Sequence, residues 1–315
     1  MLSVVLSSYN YARYLPAAMD SVLSQTEKSR EFIVVDDGSS DDSPAILESY
    51  ARRHADGIAV LFHPARQNRG LAETLKLGFS RAAGEFIAVI ESDDIWTPES
   101  LACRAAVLAQ HPDVVVVHGG ATMFGDPKIV RRRSNECRWM DFPSKKTTRQ
   151  PYEALPYLLN GNITLTLSSV MIRRNALEGL DWNTTHDAWL DWWLMTQLSL
   201  RGRFYFEPQP VVRWRIHSES YNARYRSSID EKNQARIYAN QIRQLAEGSL
   251  YKPSLNISIG RKQILTRLLE RSRKKAESRS VLAQLKKILP APVKATAKKV
   301  YFSVEKFLLF CGMMI

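Results

Sequence analysis

The sequence lacks any run of eighteen consecutive apolar residues, although 45% of its 315 residues are hydrophobic. A helix that crosses a bilayer needs about 20 such residues, so the sequence predicts no certain transmembrane span. The first apolar strand is predicted to begin at Leu2, which leaves no room for a charged leader and an apolar signal core. We therefore expect a cytoplasmic location.

The sequence also has little cysteine and no glycine-rich phosphate loop. Its three cysteines are odd in number and widely spaced, which fits neither a disulfide framework nor a zinc site. No Gly-x-Gly-x-x-Gly follows the first predicted strand and no P-loop occurs, so dinucleotide and P-loop chemistry are unsupported. Residues 162–164 (Asn-Ile-Thr) match a glycosylation acceptor pattern, which we attribute to chance without a secretory signal.

The net positive charge is concentrated at the end of the chain, while basic and acidic residues nearly balance in its body. Residues 261–315 contain 14 Lys or Arg and three Glu, and so carry +11 of the net charge of +12. Basic segments bind nucleic acid or anionic lipid. The last nine residues, 307–315, are wholly apolar, too short to span a bilayer but long enough to enter its surface. We therefore expect an anionic membrane partner and no nucleic acid. An amphipathic helix packed on the body is the alternative.

Strand and helix patterns alternate through the first 120 residues. Short apolar segments rich in Val and Ile predict strands that are covered on both faces, near 2–8, 31–36, 58–63, 85–91 and 113–118. Helical patterns lie between them, near 13–25, 43–55, 70–83 and 98–110. The alternation predicts an α/β fold with a doubly wound, mostly parallel sheet.

The pattern changes after residue 120. Residues 121–150 are basic and irregular, and predict a loop or a hairpin. We then expect a helix near 151–160, a strand near 165–172, an apolar helix near 187–201, and strands at 204–207 and 211–216. From about residue 228 the chain is predicted to be helical and basic.

Two of the predicted strands end in acidic residues. Asp36 and Asp37 close the second strand, and Glu91, Asp93 and Asp94 follow a later one. In open α/β sheets the carboxyl edge is where ligands bind. Such an edge can hold a divalent cation and a nucleotide. Taken alone, each motif also fits a simple turn, and paired Asp residues at strand ends also occur in phosphate-receiver domains and phosphatases.

Four motifs occur in a characteristic order. They are Ser-Ser-Tyr-Asn at 7–10, Val-Asp-Asp-Gly-Ser at 35–39, Asn-Arg-Gly at 68–70, and Gly-Glu-Phe at 84–86 leading to Ser-Asp-Asp at 92–94. This order and spacing resemble the family 2 glycosyltransferases, which have the GT-A fold, over roughly residues 2–220. The resemblance implies a nucleotide-sugar-binding half at 1–120 and an acceptor and catalytic half at 121–225, followed by a basic helical extension at 226–315.

The resemblance also implies the residues that bind the donor. Ser8, Asp36, Asp37 and Asp93 are expected to contact the donor nucleotide. Asp93 and Asp94 are expected to hold a divalent cation, and carboxylate oxygens suit Mn or Mg. Glu91 stands where the family usually has the first Asp of Asp-x-Asp, so it is a further candidate.

The general base is expected on the helix near 187–201. Family members carry an acidic residue about eleven positions before a glycine, and the spacing from Asp191 to Gly202 fits. We therefore assign Asp191 as base and Asp187 as a secondary candidate. A capping or pairing role for Asp191 is the alternative. His217, which follows Arg215 near a strand end, is a candidate contact to the diphosphate or the metal, or is structural.

These features together predict an inverting glycosyltransferase. It would move a sugar from a nucleotide-diphosphate donor to a lipid-linked or polysaccharide acceptor at the inner face of a membrane, in cell-surface glycan synthesis. One alternative is a catalytically inactive glycan- or membrane-binding module on the same fold, because Glu91 and Leu190 depart from the family motifs. The other is a nucleotidyltransferase, although its usual Gly-rich basic loop after the first strand is missing.

Overall fold

A computed structural model describes residues 1–28, 30–55, 57–137, 150–159, 161–182 and 189–220, together with residues 240, 241 and 244. These residues all lie within one unit of the chain, Met1–Ser249. The predicted basic extension at 226–315 therefore falls almost entirely outside the described residues, as does Asp187. No helix in the described ranges has the length and apolarity needed to cross a membrane.

The elements of the first half lie within a few residues of their predicted positions. The strands are β1 (Leu2–Ser8), β2 (Arg30–Asp36), β3 (Ile58–Phe62) and β4 (Phe86–Glu91). The helices between them are α1 (Leu15–Leu23), α2 (Ser43–Arg53) and α3 (Gly70–Arg81). The strands pair in parallel in the order β3-β2-β1-β4, as expected for strands joined by helical crossovers.

The second half is less regular. Its elements are β5 (Ile95–Trp96), α4 (Ser100–Gln110), β6 (Val114–Gly125), α5 (Pro127–Cys137), a one-turn helix α6 (Leu155–Leu158), β7 (Val170–Arg173), α7 (Leu190–Ser199) and β8 (Arg203–Ile216). They extend the described sheet to β3-β2-β1-β4-β7-β6-β8-β5. Around β7 the pairing is antiparallel, whereas β6 and β8 run parallel.

Several predictions for this half are wrong. The loop predicted from residue 121 is instead the end of β6 followed by α5, because pairing with β8 stabilises a segment whose own pattern is weak. The strand predicted at 165–172 begins only at Val170, after a 3₁₀ turn at Leu167–Ser169. The predicted helix at 151–160 shrinks to α6, since Tyr152 forms an antiparallel bridge with Phe204.

The two strands predicted at 204–207 and 211–216 are one strand, β8. Its pairing with β6 shifts register near Gly120, which faces Pro210. Proline cannot donate to a ladder and is tolerated at such irregularities. The short strand β5 was not predicted, because two residues carry no periodic signal.

Helices cover the sheet on both faces. Alternate residues of a strand point to opposite faces, so Val4 and Leu6 pack with α1, α2 and α4, whereas Val5 packs with α3 and α7. Both faces are therefore apolar, which explains why these strands read as continuous hydrophobic runs. Trp192 and Trp193 of α7 are buried on the same face of the sheet as Val5.

Candidate active site

The carboxyl ends of β1, β2 and β4 meet at one edge of the sheet. The parallel register sets Ser8 of β1 beside Asp36 of β2, and Ser7 of β1 beside Glu91 of β4. Asp36 and Glu91, which are 55 residues apart in sequence, are thus brought within two strand spacings. The prediction that the acidic strand ends share one edge is confirmed.

Asp36 shapes the loop that follows β2. The backbone N–H and the hydroxyl of Ser39 donate to its two carboxylate oxygens, at 2.9 and 2.6 Å. Gly38 between them has a φ of +72°, and a Cβ there would lie 2.5 Å from the backbone N of Asn68. Only glycine suits that conformation and that close approach. The motif therefore requires Asp, Gly and Ser for its own geometry, whatever else it binds.

Asp37 lies at the amino end of α3. It accepts hydrogen bonds from the backbone N–H groups of Arg69 (2.6 Å) and Gly70 (3.1 Å), and His63 Nε2 lies 3.6 Å from its Oδ1. A carboxylate is favoured there by the helix dipole. Burial nevertheless raises the pKa of Asp37 above its usual value.

Ser8 Oγ, next to this loop, is buried and has no hydrogen-bond partner in the described residues.

The antiparallel pairing of β5 with β8 brings Asp93 to His217. Ile95 pairs with Arg213, so residues before Ile95 face residues after Arg213. Arg215 Nε donates to the carbonyl of Asp93 at 2.8 Å, and His217 Nε2 lies 3.1 Å from Asp93 Oδ2. His217 Nδ1 is buried without a partner in the described part of the chain.

Glu91, which is partly buried, and Asp94, which is buried, both contact Thr166. Its Oγ1 lies 2.7 Å from Glu91 Oε2 and 3.1 Å from Asp94 Oδ2. The second oxygen of Asp94 accepts from the backbone N–H of Arg215 at 2.9 Å. A hydroxyl has one proton to donate, so when both contacts are hydrogen bonds one carboxyl group supplies the other proton.

The raised pKa values of Glu91 and Asp94 agree with one of the two carboxyl groups being protonated. Burial, with the charges of Asp93 and Asp191, raises the pKa of Glu91 to about 8. Burial beside Asp93 and Glu91 also raises the pKa of Asp94 well above its ordinary value. Carboxylates held this close cannot all ionise in a low-dielectric site without a compensating cation.

Asp191 lies in the first turn of α7. Its Oδ1 accepts the backbone N–H of Trp192 at 2.7 Å, and its Oδ2 accepts the side-chain amide of Asn162 at 2.5 Å. Burial raises the pKa of Asp191 to about 6, although both hydrogen bonds oppose the shift. Because its charge acts on Glu91, Asp191 lies within electrostatic reach of the strand-end cluster.

The described site thus brings together most of the predicted residues and adds others. Glu91, Asp93, Asp94, Asp191 and His217 form one electrostatically linked group, while Asp36 and Asp37 lie in the adjacent loop. Sequence reasoning missed the contributors Asn162, Thr166 and Ser168, whose Oγ accepts the backbone N–H of Glu91 at 2.9 Å. Polar residues at every second position from 162 to 168 are the signal that could have revealed them.

Asp93 has the chemistry of a metal ligand. Its side chain is 12% exposed, and its Oδ1 accepts no hydrogen bond from the described residues. Asp94, by contrast, has both oxygens bound within the protein. The described residues contain no group of three or more His, Cys, Asp or Glu side chains that could hold a metal by themselves. One carboxylate with substrate phosphates and water is a usual environment for Mg²⁺, so the residues fit such an ion.

Solved structures share the fold. The mannosyltransferase PcManGT from Pyrobaculum calidifontis, solved with GDP-Man and Mn²⁺, is 18% identical with a TM-score of 0.56, covering 98% of this chain and 84% of that one. TarS 1–349 of S. aureus, solved with UDP-GlcNAc, is 21% identical with a TM-score of 0.50, covering 70% and 61%. The protein therefore has the GT-A type of α/β fold. A family model described as glycosyl transferase family 2 matches residues 3–178, and the chain belongs to this family.

Relatives from bacteria carry the corresponding name. An uncharacterised glycosyltransferase of Nostoc sp. is 37% identical over 136 residues, which are 43% of this chain and 41% of that relative. Another, of Rickettsia prowazekii, is 26% identical over 226 residues, which are 69% of this chain and 64% of that relative. The matches thus span less than two thirds of each relative's length.

Proposed function

We propose that this protein transfers a sugar, with inversion, from a nucleotide-diphosphate sugar to a hydroxyl of a glycan or lipid-linked acceptor. The observation that carries the proposal is the position of Asp191. It is a partly buried carboxylate with a raised pKa, and its charge acts on Glu91, which lies at the ligand-binding edge of the sheet two residues before the proposed metal ligand Asp93.

Asp191 is suited to act as general base. In direct displacement at a sugar carbon, the acceptor hydroxyl must lose its proton as it attacks. A pKa of about 6 leaves Asp191 ionised at pH 7 and makes it a stronger base than an exposed aspartate. Each of its oxygens accepts one hydrogen bond, so a lone pair remains free to receive the proton.

Likeness to nucleotide-sugar enzymes supports the identity of the donor. PcManGT was solved with GDP-Man, and TarS with UDP-GlcNAc, on the fold that this chain shares. We place the nucleotide at the ends of β1 and β2, beside Ser8, Asp36 and Asp37. Since Asp36 and Asp37 bind backbone and hydroxyl groups of the protein, we expect them to contact the nucleotide through their remaining lone pairs. The buried hydroxyl of Ser8 has no described partner and is free to bind it.

A divalent cation, Mn²⁺ or Mg²⁺, belongs to this proposal. Asp93 would hold it, and the neighbouring carboxyl groups of Asp94 and Glu91 would interact with it electrostatically. When bound, the ion supplies a positive charge for the diphosphate as it leaves. His217 and Arg215 hold the Asp93 side chain and backbone in place, which preorganises the ligand before the ion and donor arrive.

We further propose that residues 226–315 attach the enzyme to an anionic membrane surface at the inner face. The last 55 residues carry +11 of the net charge and end in nine apolar residues. Charge and apolar burial together are the two signals that stable peripheral binding requires. An acceptor presented at the membrane, lipid-linked or a growing polysaccharide, would suit such an enzyme in cell-surface glycan synthesis.

A panel of nucleotide sugars tests the function. The protein is incubated with UDP- and GDP-linked sugars, with Mn²⁺ or with excess chelator, and both the melting temperature and release of the nucleoside diphosphate are measured. We expect one donor class to raise the melting temperature and to turn over in a metal-dependent way. Binding without turnover would favour the inactive module. Turnover of a nucleoside triphosphate with a sugar phosphate would favour a nucleotidyltransferase.

A further inference from the structure

Residues 162–168 contact the carboxylates at three places. Four residues at alternate positions are polar, namely Asn162, Thr164, Thr166 and Ser168. Ile163 and Leu167, at the positions between, pack into the hydrophobic core. The buried apolar positions fix this segment, and its polar positions carry hydrogen bonds to the site.

The side-chain amide of Asn162 has a fixed orientation. Its Oδ1 accepts the backbone N–H of Thr164 at 3.0 Å and the hydroxyl of Thr164 at 2.8 Å. Both of these partners are donors, so the acceptor oxygen must face Thr164 and the donor Nδ2 must face away from it. Nδ2 is directed at Asp191 Oδ2, 2.5 Å away.

Asn162 connects the base to the rest of the site. The other hydrogen bond of Asp191 comes from Trp192 in the same helix, so it holds the carboxylate only relative to its own backbone. Asn162 comes from a separate segment, 29 residues away in sequence. Four residues further along, Thr166 contacts both Glu91 and Asp94. One short segment therefore sets the position of Asp191 relative to the strand-end acids.

We propose that Asn162, held by Thr164, is a positioning residue for the general base, and that this explains the Asn-Ile-Thr pattern in the sequence. The inference rests on the proposed role of Asp191. The Asn and Thr of the glycosylation-like motif then have a structural role. The hydroxyl of Thr164 donates to the amide oxygen of Asn162, and this contact orients the amide nitrogen toward Asp191.

Loss of Asn162 should impair turnover more than donor binding. A misplacement of the reacting group by about 1 Å can cost about 100-fold in rate. We expect Asn162→Ala to lower kcat by about 10- to 100-fold with little change in donor KM. The amide also stabilises the ionised form of Asp191. Its removal should raise the pKa of Asp191 and so move the acid limb of the kcat profile to higher pH. The two other charged groups that interact with Asp191 are Arg133 and Glu91, and both remain in place in the variant.

The experiment compares variants of the full chain. Asn162→Asp keeps the shape of the side chain but cannot donate, so a space-filling role predicts normal activity and our inference predicts a loss at least as large as in Asn162→Ala. Thr164→Val removes the hydroxyl contact but keeps the backbone N–H contact that orients the amide, and should give a smaller loss in the same direction. The matched control is Gln197→Ala. Gln197 is also in α7, and its amide forms hydrogen bonds with the backbone of Asp181. The control therefore removes a comparable side-chain amide that links α7 to another segment without contacting Asp191.

Two measurements decide the outcome. One is turnover of UDP-GlcNAc and GDP-mannose with Mn²⁺ across pH. The other needs no donor: NMR titration of the Asp191 carboxyl carbon in apo protein with labelled aspartate, assigned with Asp191→Asn. A higher Asp191 pKa in Asn162→Ala and Asn162→Asp, but not in Gln197→Ala, supports the inference.

The two hypotheses fail in different ways. If Asn162→Ala keeps the wild-type Asp191 pKa and kcat while Asp191→Asn is inactive, Asn162 does not position the base and the proposed function stands. If Asp191→Asn itself turns over normally, the base assignment is wrong, whatever Asn162→Ala does.

Discussion

His217 Nε2 lies 3.1 Å from Asp93 Oδ2, although 124 residues separate the two in sequence. The imidazole ring is packed between aromatic neighbours, with the rings of Tyr14 and Tyr11 at 4.9 and 5.4 Å. His217 therefore holds one oxygen of Asp93 and leaves the other without a partner in the described residues. A carboxylate fixed in this way is ready to bind a cation without first reorganising.

Asp93→Ala should abolish sugar transfer and donor-dependent binding of Mn²⁺, because it removes the oxygen ligand that the structure leaves available. The fold should persist, since the backbone carbonyl of residue 93, which accepts from Arg215 Nε, is kept in the variant. The measurement is transfer activity together with calorimetric Mn²⁺ binding in the presence of donor. Asp113→Ala, which removes an exposed carboxylate paired with Arg203, is the control. Full wild-type activity in excess chelator would refute the metal requirement.

Asp191→Asn should lower kcat by about 100-fold or more, in line with the roughly 10²–10⁴ that general base catalysis supplies. Donor affinity should barely change, because the base acts on the acceptor. Steady-state kinetics with saturating donor provide the measurement. Asp187→Asn is the comparison, and an inactive Asp187→Asn beside a normal Asp191→Asn would reverse our assignment.

The pH dependence of kcat should report Asp191. The active form of a base is deprotonated, so activity is lost as pH falls through its pKa. With a pKa raised to about 6, the acid limb should begin near pH 6 rather than near pH 4. The profile between pH 4.5 and 8 provides the check. A rate that stays level down to pH 4.5 would show that this carboxylate does not carry the proton.

Acid should destabilise the protein through His118, which lies away from the site. Burial lowers the pKa of His118 to about 3, and its Nε2 lies 2.6 Å from the hydroxyl of Tyr152. The unfolded chain takes up the proton near pH 6.5, so the stability is present above that pH and is lost as pH falls toward 3. Relative to His118→Gln, the free energy of unfolding of wild type should drop by about 3 kcal/mol between pH 7 and pH 4. Denaturant titrations at both pH values measure it, and parallel curves for the two proteins would contradict it.

Deleting residues 290–315 should release the protein from vesicles that contain anionic lipid. The deletion removes the apolar end and part of the basic charge, and each basic residue near the lipid contributes about 1 kcal/mol. High salt should weaken binding of the intact chain, while donor hydrolysis in solution should survive because the proposed site lies within residues 1–220. Sedimentation with vesicles provides the measurement. Equal binding with and without the tail would instead favour a helix packed on the body.

The strands of the first half and their acidic ends were predictable from local sequence. Apolar runs that stop at Asp36 and at Glu91 identify both the strands and their direction, and parallel pairing then brings the ends to one edge. The Asp191–Gly202 spacing also has a structural basis. A Cβ on Gly202 would lie 2.5 Å from Val115 Cγ1, so the chain can turn from α7 into β8 there only with glycine.

The second half was predicted poorly because its elements depend on partners far away in sequence. β5 has two residues and exists through its pairing with β8, and the end of β6 has little strand pattern of its own. The contacts of Thr166 with Glu91 and Asp94 are likewise invisible locally, since a threonine in a polar segment has many roles.

The sequence by itself determined the class of fold, the sheet edge that carries the site, and the types of residue available there. These follow from hydrophobic periodicity and from turn chemistry, which act over a few neighbouring residues. The tertiary structure alone decided which carboxylate is free and which is engaged. Asp93 and Asp94 are adjacent in sequence and chemically identical, yet Asp93 keeps an available oxygen while Asp94 is buried against Thr166 and the backbone of Arg215. Burial and hydrogen-bond partners set that difference, and both are supplied by strands and segments more than 70 residues away.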